Sequence, residues 1–186
     1  MNVQPTALPG VILLEPRVFA DSRGEFFELW SQRKGVEAGL PERFVQANVS
    51  RSTKGVLRGL HFQHPSDQGK LVSALEGEIF DVAVDIRLGS PTFGRWVGAI
   101  LSSTNHKQIY VPEGYAHGFA VMSDSATVHY QTTDFYNPAT EGIIRWDDPN
   151  LQIDWPVASP LLAPKDAGAP LLSEIAPDRL PRYEAR

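Results

Sequence analysis

The chain contains no cysteine. That excludes disulfide bridges and thiolate metal sites. Positive charge is not in excess either: 17 Lys and Arg stand against 22 Asp and Glu, a formal net charge of −5. Such a balance gives no general attraction to nucleic acid, so an anionic ligand has to be met by a local group of Arg and Lys. No apolar run approaches the length that spans a bilayer. The N-terminus has neither the charged nor the apolar region of a signal peptide. Internal repeats, linkers and low-complexity segments are missing as well. The expectation is a soluble cytoplasmic protein with no nucleic-acid or membrane partner.

What is present suits a globular chain. The 186 residues are 42% apolar and 21% charged, enough for one domain over residues 1–186 with a sizeable core. Many short β-patterned runs alternate with Gly- and Pro-containing turns, which points to a β-sandwich or barrel. Residues 8–15 read as an apolar strand closed by Pro16, and Asp21-Ser-Arg-Gly24 as a turn. Phe26, Glu28 and Trp30 then read as one face of a following strand. Residues 31–43 are the best helix candidate, weakened by Gly35 and Gly39. From Phe44 the period becomes two: Gln46, Asn48 and Ser50 share one face, Val45, Ala47 and Val49 the other. That polar face suits either an outer surface or the lining of a wet cavity. Phe80, Val82, Val84 and Ile86 alternate with Asp81, Ala83 and Asp85, a strong strand signal. One of the two acids is expected to pair with Lys70 or an Arg. Residues 126–136 read as a further strand, and the tail from Asp147 as irregular chain with one short helix.

Chemistry concentrates in residues 55–72, where Arg58, His61 and Lys70 fall close together. A His exchanges protons near neutral pH, a Lys can hold a developing negative charge, and an Arg forks onto carboxylate or phosphate. In an unbroken strand Arg58 and His61 would point oppositely. Gly59 lies between them, and an isolated Gly in a strand often marks a bulge that could bring both to one site. Taken alone, these residues read equally well as a hairpin with a surface Arg and a packed His.

Longer runs break that tie. Pro112-x-Gly114-x-x-His117 matches the second half of the cupin jelly-roll signature. Asp21-Ser-Arg-Gly-Glu-Phe-Phe-Glu28, Gln46-Ala-Asn-Val-Ser50, Gly55-Val-Leu-Arg-Gly-Leu-His61, Phe80-Asp-Val-Ala-Val-Asp-Ile-Arg87, Pro112-Glu-Gly-Tyr-Ala-His-Gly-Phe119 and Tyr130-Gln-Thr-Thr-Asp-Phe-Tyr136 together resemble the dTDP-4-dehydrorhamnose 3,5-epimerase family, from about residue 8 to 183. The resemblance implies an all-β, cupin-like jelly-roll barrel with a few short helices, mainly peripheral and C-terminal. It implies metal-free, cofactor-free epimerisation of a dTDP-linked 4-keto-6-deoxy-hexose at C3 and C5. In the family register His61 stands at the general base, Asp166 at the carboxylate that orients it, Lys70 at the group facing the enolate oxygen, and Tyr130 at the general acid. Gln46, Asn48 and Arg58 match positions around the diphosphate, His117 one near the sugar, and Tyr136 an aromatic beside the nucleotide. Arg23, Phe26 and Glu28 match residues that reach the partner's nucleotide in a homodimer with shared sites.

Two positions depart from the family pattern. Ala163-Pro164 stands where Ser is common ahead of the dyad carboxylate, and Gln131 where Lys is common. Relatives on this scaffold that invert a single centre make a 3- or 5-epimerase the alternative. Rivals from other classes are a metal-dependent cupin using His61, His64 and His117, and a catalytically silent nucleotide-sugar binding module. The His-x-x-His spacing of His61 and His64 argues against the former, since metal cupins carry His-x-His on one strand face.

Overall fold

The computed structural model describes residues 1–184; Ala185 and Arg186, the last two of the span expected as one domain, lie outside the described residues. The elements are β1 (Asn2–Pro5), β2 (Ile12–Glu15), β3 (Val18–Asp21), β4 (Gly24–Phe27), α1 (Gln32–Glu37), β5 (Gln46–Thr53), β6 (Leu57–Gln63), β7 (Lys70–Glu76), β8 (Glu78–Asp85), β9 (Trp96–Ser102), β10 (Gln108–Val111), β11 (Tyr115–Val121), β12 (Ser125–Thr132), β13 (Glu141–Ile143) and α2 (Pro164–Ala167). One sheet runs β1-β2-β10-β7-β12-β5, and the sheet opposite runs β13-β6-β11-β8-β9. The strand pairs within both are antiparallel, while β3 and β4 form a hairpin of their own. The expected jelly-roll class is what the chain adopts.

The two sheets close on a core that includes Val11, Val72, Ile79, Ala83, Ile109, Phe119 and Val128. In β8 the alternation read from sequence is present, and its apolar face points away from this interior. Val82, Val84 and Ile86 pack outward with Leu60, Phe62 and Ile144 into a second core. The C-terminal tail closes that core with Leu151, Leu172, Leu180 and Trp155. The inward face of β8 therefore carries Asp81, and the interior has room for polar chemistry. The tail forms α2 and two 3₁₀ turns, Leu172–Glu174 and Pro177–Arg179, where one helix was expected.

Three boundaries differ from the sequence reading. The helix spans only Gln32–Glu37, and Gly39 follows it at φ +85°, a left-handed conformation that ends the helix. The strand of Phe26 ends at Phe27, so Glu28 and Trp30 do not continue its face. Trp30 turns onto the outer face of the first sheet and meets Phe44 edge-on at 4.9 Å, beside Leu14, Leu40 and Leu71. β12 stops at Thr132, and residues 133–138 leave the sheet for the cavity mouth. No helix among the described residues is long and apolar enough to cross a membrane.

Candidate active site

A cavity of about 360 Å³ opens between the two sheets, and both line it. From the first sheet come Gln46, Asn48 and Ser50 of β5, Lys70 of β7 and Tyr130 of β12; from the second come Arg58 and His61 of β6 and His117 of β11. The polar face of residues 46–50 is thus the inner one, and Val49 on the other face is 64% exposed.

Arg58 and His61 reach the same cavity because β6 carries one residue more than its neighbour. His61 lies opposite His117 and Arg58 opposite Phe119, so three steps on β6 match two on β11. Such a bulge reverses the facing of the side chains beyond it. Gly59 sits in the bulge at φ +122°. A Cβ there would lie 2.6 Å from the Gly118 Cα and 2.8 Å from the His117 carbonyl oxygen. The site requires glycine for its backbone conformation and for this close approach.

His61 Nε2 lies 2.7 Å from Asp166 Oδ1. Asp166 is buried in α2, and its second oxygen accepts weakly from the Gly59 amide at 3.5 Å. An ionised carboxylate can only accept, so its partner Nε2 carries the hydrogen and Nδ1 keeps a lone pair for an incoming proton. The Ala163-Pro164 departure does not prevent this contact: Pro164 occupies the first turn of α2, where its missing amide hydrogen costs nothing.

Lys70 is buried, and its Nζ donates to the His61 carbonyl oxygen at 3.3 Å. Burial lowers its pKa to about 8, partly opposed by the charges of Asp81 and Glu141. Tyr130 is shifted the other way: burial raises its pKa, against the pull of Arg58 and Lys165, so the phenol stays protonated at neutral pH. His117 Nε2 meets both oxygens of Asp81 at 2.9 Å. Burial raises the Asp81 pKa, while His117 and then Lys70 pull it down. The other acid of β8, Asp85, pairs with Arg87 at 2.7 Å, as one of the two was expected to do.

The remaining binding candidates divide. Arg58 Nε donates to Ser52 Oγ at 3.0 Å. Gln46 donates to Asn48 at 2.9 Å and accepts from the Tyr136 amide at 3.0 Å. Tyr136 stands half-exposed at the mouth, its hydroxyl 3.4 Å from Glu141. Arg23, Phe26 and Glu28 do not line this cavity. Arg23 sits at the exposed tip of the β3–β4 hairpin and pairs with Asp21, and Glu28 pairs with Lys34 at 2.8 Å.

Sequence reasoning missed two charged wall residues, Glu141 and Lys165, which pair at 2.7 Å. Glu141 opens a strand of only three residues, too short for a period to show. Lys165 is adjacent to Asp166 and was passed over for its neighbour. With Lys165 counted, Arg58, Lys70 and Lys165 give the cavity three side-chain cations against Glu141 and Asp166, the reverse of the chain's net charge. His64 is not part of the constellation: it turns to Asp67 at 2.6 Å. Among the described residues, no three His, Cys, Asp or Glu converge as a metal-holding group.

The chain is similar to known proteins in sequence and in fold. The family model described as dTDP-4-dehydrorhamnose 3,5-epimerase matches residues 5–174. The Pseudomonas aeruginosa dTDP-4-dehydrorhamnose 3,5-epimerase is 57% identical over 168 residues, 89% of this chain and 93% of its own. A dTDP-4-dehydrorhamnose 3-epimerase from Streptomyces niveus is 44% identical over 176 residues, 94% of this chain and 85% of its own. The crystal structure of a Legionella pneumophila dTDP-6-deoxy-D-glucose-3,5-epimerase with dTDP-4-keto-L-rhamnose superimposes with a TM-score of 0.96 at 52% identity, covering 99% of each chain. By sequence and by fold, the chain belongs to the dTDP-4-dehydrorhamnose 3,5-epimerase family.

Proposed function

We propose that the protein epimerises a dTDP-linked 4-keto-6-deoxy-hexose at C3 and C5. The observation that carries this reading is the placement of His61 on one sheet and Tyr130 on the other, lining a single cavity with Lys70. A flat enolate held between these walls loses a proton to one side and gains one from the other, which is inversion. The C4 ketone acidifies the hydrogens on both neighbouring carbons. His61 Nδ1 takes one of them, and the electron pair of the broken C–H bond moves onto the C4 oxygen. The Lys70 ammonium faces that oxygen. The Tyr130 hydroxyl then delivers its proton to the carbon from the opposite side. The phenolate regains a proton from solvent and His61 releases its own, so the cycle is redox-neutral and calls on no cofactor. A positioned acid or base typically supplies ~10²–10⁴ in rate. A group that stabilises an oxyanion supplies ~10²–10³.

The diphosphate falls to Arg58 and Lys165, the sugar to His117, and the nucleotide base to Tyr136 at the mouth. Gln46 and Asn48 complete the polar wall beside them. Arg23, Phe26 and Glu28 lie outside their own cavity, and Phe26 is 68% exposed on a projecting hairpin. This supports their reaching the site of a second copy in a homodimer. Arg23→Ala and His61→Asn dimers should each be nearly inactive. Co-refolded at equal amounts, they should form roughly half mixed dimers with one intact site each, restoring about a quarter of wild-type activity. Mixed dimers that regain nothing would return Arg23 to a role in its own chain.

Incubation with dTDP-4-keto-6-deoxyglucose in D₂O tests the reaction. Deuterium at both C3 and C5, with formation of the L-sugar, is the expected result. The Streptomyces niveus relative favours a second reading, a 3-epimerase, which would show deuterium at C3 alone. No incorporation at either carbon would sink the epimerase reading and leave a binding module.

A further inference from the structure

Residues 134–137 cross the cavity mouth outside any sheet, and among the described residues the Asn137 carbonyl alone of their backbone groups meets another backbone group, the Thr140 amide. Side-chain amides meet them instead. Gln63 Nε2 donates to the Phe135 carbonyl at 3.1 Å, and its Oε1 accepts from the Asn137 amide at 2.8 Å. Gln46 Oε1 accepts from the Tyr136 amide at 3.0 Å, and Gln68 Nε2 donates to the Asp134 carbonyl at 2.8 Å. The orientation of the Gln63 amide is forced, since a carbonyl only accepts and a backbone N–H only donates. Gln63 is 5% exposed and ends β6, two residues from His61 and on the same face of the strand. It also donates to the Ser66 carbonyl, so one side chain joins the base-bearing strand to both loops at the mouth. The residue it straddles is Tyr136.

Resting on the function proposed above, we infer that Gln63 is a positioning residue. By holding Phe135 and Asn137 it fixes Tyr136 where a nucleotide base stacks, and it ties that platform to the strand of the catalytic base. Gln63 lines the cavity, but its Nε2 and Oε1 are both engaged by backbone groups of the mouth, so it acts through Tyr136 and not on the sugar. Its loss lets the platform wander while the dyad stays in place, so binding suffers and chemistry does not. Losing both halves of a buried amide clamp should weaken nucleotide affinity about tenfold.

The test compares Gln63→Met, which keeps length and loses both hydrogen bonds, with Gln63→Glu, which keeps only the acceptor. Calorimetry with dTDP alone should show a roughly tenfold rise in Kd for Gln63→Met and a rise at least as large for Gln63→Glu, whose second carboxylate oxygen would face the Phe135 and Ser66 carbonyls. In turnover, KM should rise in parallel while kcat stays within about threefold. Amide hydrogen exchange should quicken over residues 133–138 and stay unchanged in β5 and β7. The decisive arm is a Tyr136→Ala background, where Gln63→Met should change the dTDP Kd by less than twofold. An undiminished effect there, or a single-variant Kd within twofold of wild type, overturns the inference. So does a fall in kcat equal to the rise in KM, since that marks damage to the whole site. A wild-type protein that binds no dTDP would count against the functional reading itself. The exchange comparison would still show whether Gln63 holds the segment: equal exchange in both proteins also overturns the inference.

Discussion

Two histidine–carboxylate pairs stand side by side, with His61 on β6 directly opposite His117 on β11, and they are built differently. His61 touches its carboxylate through a single 2.7 Å contact, its side chain is 28% exposed, and Asp166 arrives from the distant C-terminal tail. His117 meets both oxygens of Asp81 at 2.9 Å, is 9% exposed, and takes its partner from the adjacent strand. One ring is held by one nitrogen and presents the other to the cavity. The other ring is pinned inside the wall. The same two residue types thus make one ring with a nitrogen left over for the cavity and one ring held firmly in the cavity wall. Exposure and the origin of the carboxylate separate the two.

The comparison breaks most sharply at the histidine and its acid counterpart. His61→Asn should abolish both deuterium wash-in and epimerisation, a loss of at least ~10³-fold. Tyr130→Phe should lower net inversion by ~10²–10⁴ and still allow wash-in, because His61 can return deuterium to the face it came from. Inversion by Tyr130→Phe at near wild-type rate would mean that the acid is another residue.

The two carboxylates should separate next. Asp166→Asn should cost ~10²-fold or more in kcat through loss of ring orientation, with a small change in melting temperature. Asp81→Asn should do the opposite. It leaves a buried His with a weaker partner at a cost of about 2–3 kcal/mol, roughly 4–12 °C in melting temperature for a domain of this size, while wash-in persists. If both variants lose activity and stability in equal measure, the two pairs play the same part.

The smallest effect sharpens the account of Lys70. Burial lowers its pKa to about 8, so the ammonium is present at pH 7 and is lost as pH rises through that value. A basic limb in kcat/KM near pH 8 is expected, falling as pH increases. Lys70→Arg keeps its charge throughout and should move that limb above pH 10. A limb that does not move belongs to another group.

Much of this was legible in the chain. The alternation of β8, the Gly59 bulge and the division of residues 45–50 into a polar and an apolar face follow from period two and from glycine's conformational freedom. Other features were not legible, for identifiable reasons. Alternation reveals that a strand has two faces and not which one turns inward. Here the apolar face of β8 turns outward, because Leu151, Leu172, Leu180 and Trp155 of an aperiodic tail cover it. Residues 133–136 follow a Thr-containing strand with two aromatics and read as its continuation, yet Gln46, Gln63 and Gln68 offer their backbone a different set of partners. Glu141 was hidden by a strand too short to show a period. Arg23 and Phe26 do not line the cavity of their own chain, so the geometry of one chain assigns them no contact there.

The carboxylate of the base dyad comes from the same tail that seals the outer core. As the chain is synthesised, His61, Lys70 and Tyr130 all emerge well before residue 166 does. Until that stretch docks, His61 lacks the carboxylate partner that it has in the folded chain. Cover for the outer core and the carboxylate that meets His61 thus come from one stretch of chain, so on the proposed mechanism fraying of the tail would weaken both together.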